Sequence, residues 1–384
     1  MNNVLKAVTR RLAFAGLLIA AAGCVSVGRG GIPPKLADGW VVGDPADAGF
    51  DAAALDRLTA DIESGELLNT HAVLVEHDGV LVYEHYFSGT DELWGDLLGN
   101  RVFGPESLHD LRSVSKSVTS VLLGIALEAE FDSAVQKPLP DYLPGLALDE
   151  AKRAITLHHA LTMTAGLEWN EMDVPWWDPT NDETRHWGVA DPTQFVMTRP
   201  LVSTPGSTWY YNTCLVQVLA TVIYNLTGET VDQYARAHLF EPLGITEFEW
   251  LGSRHWTPNN ASAGGGLRLR ARDLAKIGSV FLHGGRWGGR QVVPEAWVER
   301  SVTRLVEVDS RLRTGADGTT WGYGYLWWVG ELPSGVRVVA GAGHGGQRLL
   351  IVPEERIVVT VFAGDYDLDE IPDERILERV LSAR

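Results

Sequence analysis

This sequence has few cysteines and no excess of positive charge, and each shortage excludes something. Two cysteines in 384 residues cannot build a disulfide framework. No C-x-x-C pair and no H-E-x-x-H run occurs, so the common redox and zinc signatures are missing. The eleven histidines show no metal-like spacing along the chain; apart from His344, they read as surface or packing residues, His71 and His109 among them. A formal net charge of −18 argues against nucleic acid, because a phosphate backbone rewards basic patches. The G-x-S-x-G elbow of the α/β-hydrolases is absent, and there are no internal repeats or low-complexity segments. What is plentiful is glycine, with 41 residues, and tryptophan, with 14; these point to tight loops and broad aromatic surfaces. At 45% hydrophobic over this length, the chain can bury a large core as one composite domain or two packed ones.

Residues 1–23 read as a targeting segment. Lys6, Arg10 and Arg11 precede an apolar stretch at 12–22 that is too short to span a bilayer comfortably. The stretch ends Ala21-Ala22-Gly23-Cys24. That order resembles a bacterial lipoprotein signal, which implies cleavage before Cys24 and lipidation of its thiol; an ordinary cleaved signal peptide is the alternative. The expected location is the cell envelope, outside the cytoplasm, on a lipid anchor. Cys214 is then left without an intramolecular partner.

Residues 24–45 begin Gly/Pro-rich and read as a tether. Helical apolar spacing runs over 51–62. Residues 72–87 form two strands around Asp78-Gly79, a strong hairpin signal. Short strands follow much later at 324–330, 336–341, 347–352 and 356–362, with helical spacing again at 372–382. Strands at both ends of the chain predict an antiparallel sheet that joins them, an α/β domain of residues 46–120 and 266–384 flanked by terminal helices. The middle, 121–265, alternates helical stretches (191–198, 215–226, 230–240) with loops rich in Trp, Pro and Asp. It reads as an inserted all-α region, with a cleft between it and the sheet domain.

Within LRSVSKSVTSVLLGIAL (111–127), Val114, Val118, Val121, Leu122 and Ile125 share one apolar helical face. Ser113 opens that helix and Lys116 lies three residues on, so a hydroxyl and an amine meet at a positively polarised helix N-terminus. A lysine in a closed pocket can accept or relay the serine proton. Alone, the S-x-x-K tetrapeptide is weak: roughly one chance match is expected in a chain this long. Ser113 as a helix cap and Lys116 as a solvated side chain would explain it equally well.

The context is more specific. The stretch 109–126 resembles the nucleophile helix of serine β-lactamase-like and penicillin-recognising enzymes, in the class C-like branch with DD-peptidases, EstB-type esterases and nylon-oligomer hydrolases. Six further matches follow in family order: ITLHHALTMTAGLEW (155–169), PGSTWYYNT (205–213), YARAHLFEPLGI (234–245), GGGLRLRARDLAKIG (264–278), YGYLWWV (323–329) and AGHGGQ (342–347). The resemblance implies a β-lactamase/transpeptidase-like fold with Ser113 as nucleophile and Lys116 beside it. It also implies a tyrosine that shares the proton transfer. Spacing from Pro205 selects Tyr211, whereas a literal Tyr-x-Asn reading selects Tyr210. GAGHGGQ (341–347) formally fits G-x-G-x-x-G, but a strand rather than a helix follows, which excludes a dinucleotide site. In the resembled family this strand edge lines the cleft, and one of its N–H groups completes an oxyanion hole with that of Ser113. His344 is the expected donor, with Gly345 the alternative; a catalytic role for the His344 side chain is a further expectation. True β-lactamases carry Lys-Thr-Gly here. Its absence points to an esterase or amidase acting through an acyl-enzyme, with a β-lactamase, a DD-peptidase or a non-catalytic penicillin-binding lipoprotein as alternatives. The partner expected is a small ester, amide or peptide substrate, with no cofactor and no metal implied. Trp169, Trp176, Trp177, Trp187 and Trp209 crowd the inserted region, either lining an acyl-side pocket or packing in the core.

Overall fold

A computed structural model describes residues 31–384 other than 68, 316 and 367–372. Residues 1–30, with Cys24 and the targeting segment, lie outside the described residues.

The centre is a nine-stranded sheet. Its order is Val41–Val42, Val80–Tyr86, Thr70–His77, Ile357–Ala363, Gln347–Val352, Arg337–Gly343, Trp328–Glu331, Thr320–Tyr323 and Val306–Glu307. Every pairing is antiparallel except the first, where Val41 and Val42 run parallel to Val80 and Leu81. The two ends of the chain meet at the centre, where Thr360 lies opposite Leu74. Asp78 and Gly79, both at positive φ (51° and 87°), close the N-terminal hairpin, as a two-residue turn of this twist requires.

The strands Gln347–Val352 and Ile357–Ala363 are buried along their whole length, so they read as continuous apolar runs rather than alternating ones. One face is covered by the helices Val114–Leu127 and Ala271–Leu282. A Cβ at Gly278 would run into Val358, and a Cβ at Gly341 would lie 3.2 Å from Val114; both helices therefore approach the sheet closely through small residues. The terminal helices Ala52–Glu63 and Asp373–Ser382 pack on each other, and the latter also packs on Gln347–Val352. The middle of the chain is helical: Val114–Leu127 packs on Thr213–Thr227, which in turn packs on Pro192–Met197. Asn212 caps Thr213–Thr227 by accepting from the Leu215 N–H at 3.1 Å, and Gly228 ends it in the left-handed region.

Two expectations need correction. The strand read at 324–330 is a turn followed by a strand. Trp328–Glu331 is extended, but residues 324–327 fold back, with Leu326 at φ 60° and its N–H on the Leu161 carbonyl. The aromatics there are apolar because Tyr325 and Trp327 plug the core. The tether is likewise docked over its described part. Trp40 is buried and donates through Nε1 to the Arg272 carbonyl at 3.1 Å, while Arg272 reaches the Pro34 carbonyl at 2.7 Å and Asp38 at 2.9 Å.

Candidate active site

Ser113 sits at the N-cap position of Val114–Leu127, yet its side chain makes no capping bond. Instead Lys116 Nζ donates to Ser113 Oγ at 2.8 Å. Nζ also donates to the Gly264 carbonyl at 2.7 Å and lies 4.9 Å from the centre of the Tyr211 ring. Lys116 is only 2% exposed, so these contacts are shielded from water. The three-residue spacing on a helix puts the amine over the hydroxyl, and the cap at Asn212 fixes where Tyr211 leaves the loop.

The structure separates the two tyrosines. Tyr211 lines the same cleft as Ser113 and Lys116. Tyr210 points elsewhere and donates to Asp173 at 2.6 Å; burial, then this carboxylate, push its phenol up to about 12.

The strand Arg337–Gly343 forms the facing wall. A Cβ at Gly343 would overlap the Leu111 carbonyl oxygen and crowd the Arg112 side chain at 3.2 Å, so the strand edge is pressed against the two residues before Ser113. The chain then turns through His344, Gly345 and Gly346, the glycines at φ 83° and 88°. His344 lies on the cleft wall with its ring stacked on Trp176 at 5.3 Å. Gly345 is buried, and a side chain there would strike the Tyr366 ring. Of the two expected oxyanion donors, His344 lines the cleft and Gly345 does not. Arg112, immediately before Ser113, is held at φ 48°. Its guanidinium lies between the rings of Trp94 (5.0 Å) and Tyr366 (4.8 Å) and bonds Glu92 at 2.9 Å. A non-glycine residue held in the left-handed region stores strain, and such outliers cluster at functional sites.

The Beta-lactamase family model matches residues 58–380 of the chain. The chain belongs to the beta-lactamase family. It is 27% identical over 349 residues to the 6-aminohexanoate-dimer hydrolase of Paenarthrobacter ureafaciens, covering 85% of this chain and 81% of that one. With Esterase EstB of Burkholderia gladioli it shares 27% identity over 222 residues, about half of each chain (53% and 54%). Among solved structures, a penicillin-binding protein homologue from Caulobacter crescentus superposes with a TM-score of 0.65 at 17% identity, covering 87% of this chain and 97% of that one. The fold is thus the β-lactamase/transpeptidase fold, and the chain is a serine hydrolase of the beta-lactamase family.

In this family member the cleft has a volume of about 870 Å³, within the range of small-molecule sites. Two acids on its wall were not legible in the sequence, because their character comes from burial. Glu171 accepts from the Thr213 N–H at 2.8 Å, the Thr213 hydroxyl at 2.6 Å and the Trp169 indole at 2.8 Å. Three donors thus converge on this carboxylate at the N-terminus of Thr213–Thr227. Glu183 is also buried but has less help, an indole N–H from Trp187 at 3.2 Å. Burial first, then the neighbouring Glu171 charge, push its carboxyl up to about 7.

The tryptophans divide. Trp176 lines the cleft; Trp169 and Trp209 are buried, and Trp187 stacks on Trp256 at 4.9 Å. Trp177 is 86% exposed and does not line the cleft. Cys214 is a buried free thiol that donates to the Pro192 carbonyl.

Proposed function

We propose that this chain hydrolyses an ester or amide of a small substrate through an acyl-enzyme on Ser113. The observation that carries the reading is the Lys116–Ser113 hydrogen bond inside a buried pocket open to the cleft. Ser113 Oγ attacks the substrate carbonyl as its proton passes to the Lys116–Tyr211 pair. The N–H groups of Ser113 and His344 hold the developing oxyanion, the leaving group takes up the proton, and water then releases the acyl group. Relatives named as a 6-aminohexanoate-dimer hydrolase and an esterase support this reaction class. The strand facing the serine carries Ala340-Gly341-Ala342-Gly343 without a lysine, which favours esters and linear amides over lactams.

The test is intact mass after exposure to a fluorophosphonate or a p-nitrophenyl ester. The parent should gain one acyl or phosphonyl adduct and Ser113→Ala none; an equal adduct on Ser113→Ala would remove the assignment. Lys116→Met should slow acylation by about 10²–10⁴-fold, the usual worth of a positioned proton acceptor. Turnover of nitrocefin or a D-Ala-D-Ala peptide ahead of the esters would move the reading to a β-lactamase or DD-peptidase.

The N-terminal segment supports an envelope location with Cys24 as the lipidated residue. Among the described residues no single helix is long and apolar enough to cross a membrane. Metabolic labelling with a fatty acid should mark the parent and not Cys24→Ser; equal labelling would exclude the anchor.

A further inference from the structure

Away from the cleft, three segments distant in sequence bring two imidazoles and a carboxylate together. His71 comes from Thr70–His77, Asp91 from Ser88–Leu93 and His109 from His109–Asp110. All three are buried: His71 is 0%, His109 1% and Asp91 8% exposed. One nitrogen or oxygen from each lies within 4.8 Å of the others.

The proton bookkeeping of this cluster does not close with neutral imidazoles. Asn69 Nδ2 donates to the carbonyls of Thr90 (3.0 Å) and Gly364 (2.6 Å). That orientation leaves Asn69 Oδ1 as an acceptor, which takes the Thr90 N–H at 3.0 Å and faces His71 Nε2 at 3.2 Å. His71 therefore carries its proton on Nε2, and its Nδ1 holds a lone pair. His109 Nδ1 faces the Asp110 carbonyl at 3.1 Å, an acceptor only, so His109 carries its proton on Nδ1 and its Nε2 also holds a lone pair. Those two lone pairs, His71 Nδ1 and His109 Nε2, face each other at 2.8 Å. Asp91 Oδ1 lies 3.8 Å from His109 Nε2 and has no hydrogen-bond partner among the described residues.

Two facing lone pairs beside a carboxylate oxygen require a cation between them. It can be a proton, making His109 an imidazolium, or a metal ion. Burial opposes the proton: both imidazoles are shut off from water, and the nearest carboxylate oxygen stands 3.8 Å away, beyond hydrogen-bond reach, so an imidazolium there would be poorly compensated. The outward hydrogen bonds suit a metal. Ligating histidines donate their second N–H to a carbonyl or amide oxygen, which fixes the tautomer and turns the other nitrogen inward. Here both do so.

We propose that His71 Nδ1, His109 Nε2 and Asp91 Oδ1 bind a divalent transition-metal ion of the zinc class. With metal–ligand distances of about 2.0–2.2 Å and tetrahedral angles, neighbouring donor atoms stand about 3.3–3.5 Å apart. The imidazoles open by about half an ångström from their 2.8 Å spacing, and Asp91 closes on His109 by slightly less from 3.8 Å and on His71 from within 4.8 Å. Two histidines and one carboxylate in a buried site are a ligand set suited to zinc. The ion would tie the hairpin Ser88–Leu93/Asp96–Val102 and the strand His109–Asp110 to the main sheet, four residues ahead of Ser113. With three protein ligands the fourth position would fall to water; the ion's part is to hold these segments together, away from the cleft where the acyl transfer takes place.

The test is binding of Zn²⁺ or Co²⁺ to the full chain after chelation and dialysis, read by calorimetry, elemental analysis and the visible absorption of Co²⁺. The parent should take up one ion and gain thermal stability with it, and Ser113→Ala should behave identically. Asp91→Asn, which keeps the side-chain volume, should bind at least about tenfold more weakly, since loss of a ligand exceeds the 10–100-fold effect of outer-shell changes. Failure of the parent to bind, or unchanged affinity in Asp91→Asn, would overturn the proposal. Imidazole ¹⁵N spectra of the metal-depleted chain supply a second check. A doubly protonated His109 at neutral pH would show that a proton fills the gap and would equally overturn it.

Discussion

Gly343 is pressed so closely on Leu111 that a β-carbon would overlap the Leu111 carbonyl oxygen. This contact sets the distance between the strand edge carrying His344 and the turn carrying Ser113, the two sides of the proposed oxyanion hole. Backbone cannot swing aside as a flexible side chain can. Gly343→Ala should therefore separate the two walls, and displacements approaching 1 Å cost about 100-fold when donors must meet a transition state. Ester turnover should fall by roughly 10–100-fold, mainly in kcat, with the circular dichroism spectrum retained. Unchanged kcat would show that the strand edge does not position the reaction.

Where the sequence was informative, a single physical signal dominated. The Asp78-Gly79 hairpin was legible because few residues adopt positive φ at both turn positions. The strands Gln347–Val352 and Ile357–Ala363 were legible because burial on both faces makes their apolar runs continuous. Residues 324–327 misled because Tyr325 and Trp327 are apolar for core packing, which composition cannot distinguish from a strand. Ser113 and Lys116 gain their meaning from order along the chain. Arg112, Glu171 and Glu183 gain theirs only from neighbours brought in by folding, as do His71 and His109, which lie 38 positions apart in sequence.

Glu183 makes stability depend on pH. Its folded-state carboxyl is pushed up to about 7 from an ordinary 4.5, so between these values the folded chain holds a proton that the unfolded chain has lost. Stability from this group therefore falls as pH rises through about 4.5–7, and above that window the folded state carries the full cost of a buried anion. Glu183→Gln cannot ionise and keeps an acceptor for Trp187. At pH 5 it should match the parent closely. At pH 8 it should be more stable by on the order of 2–3 kcal/mol, because each tenfold difference in proton affinity between the folded and unfolded chain is worth about 1.4 kcal/mol. Urea midpoints at the two pH values measure this, and a gap that does not widen with pH would show that Glu183 ionises like an exposed acid.

Arg272 clamps the described N-terminal segment to the sheet domain. Its guanidinium pairs with Glu84, which is wholly buried, and also reaches Asp38 and the Pro34 carbonyl. Removing one partner of a buried pair leaves the other charge unpaired, which typically costs about 3–5 kcal/mol. Arg272→Ala should lose about that much in urea denaturation, whereas the double change Arg272→Met with Glu84→Gln should recover a large part of it. A loss under about 1 kcal/mol in the single variant would mean that water reaches Glu84 and the clamp is weak.

Tyr210 and Tyr211 are adjacent in sequence and divergent in space, so they make a controlled pair. Tyr211 lines the cleft with its ring beside Lys116, whereas the Tyr210 hydroxyl is committed to Asp173 at 2.6 Å. Phenylalanine at either position keeps the ring and removes only the hydroxyl. If Tyr211 shares the serine proton, Tyr211→Phe should lower kcat by about 10²–10⁴-fold with little change in melting temperature. Tyr210→Phe removes an exposed hydrogen bond to a carboxylate and should change kcat by less than about twofold, with a stability loss on the order of 1 kcal/mol. Equal kcat losses would indicate loop packing rather than proton transfer. A larger loss at Tyr210 would require the loop to rearrange on substrate binding, exchanging the Asp173 contact for one in the cleft.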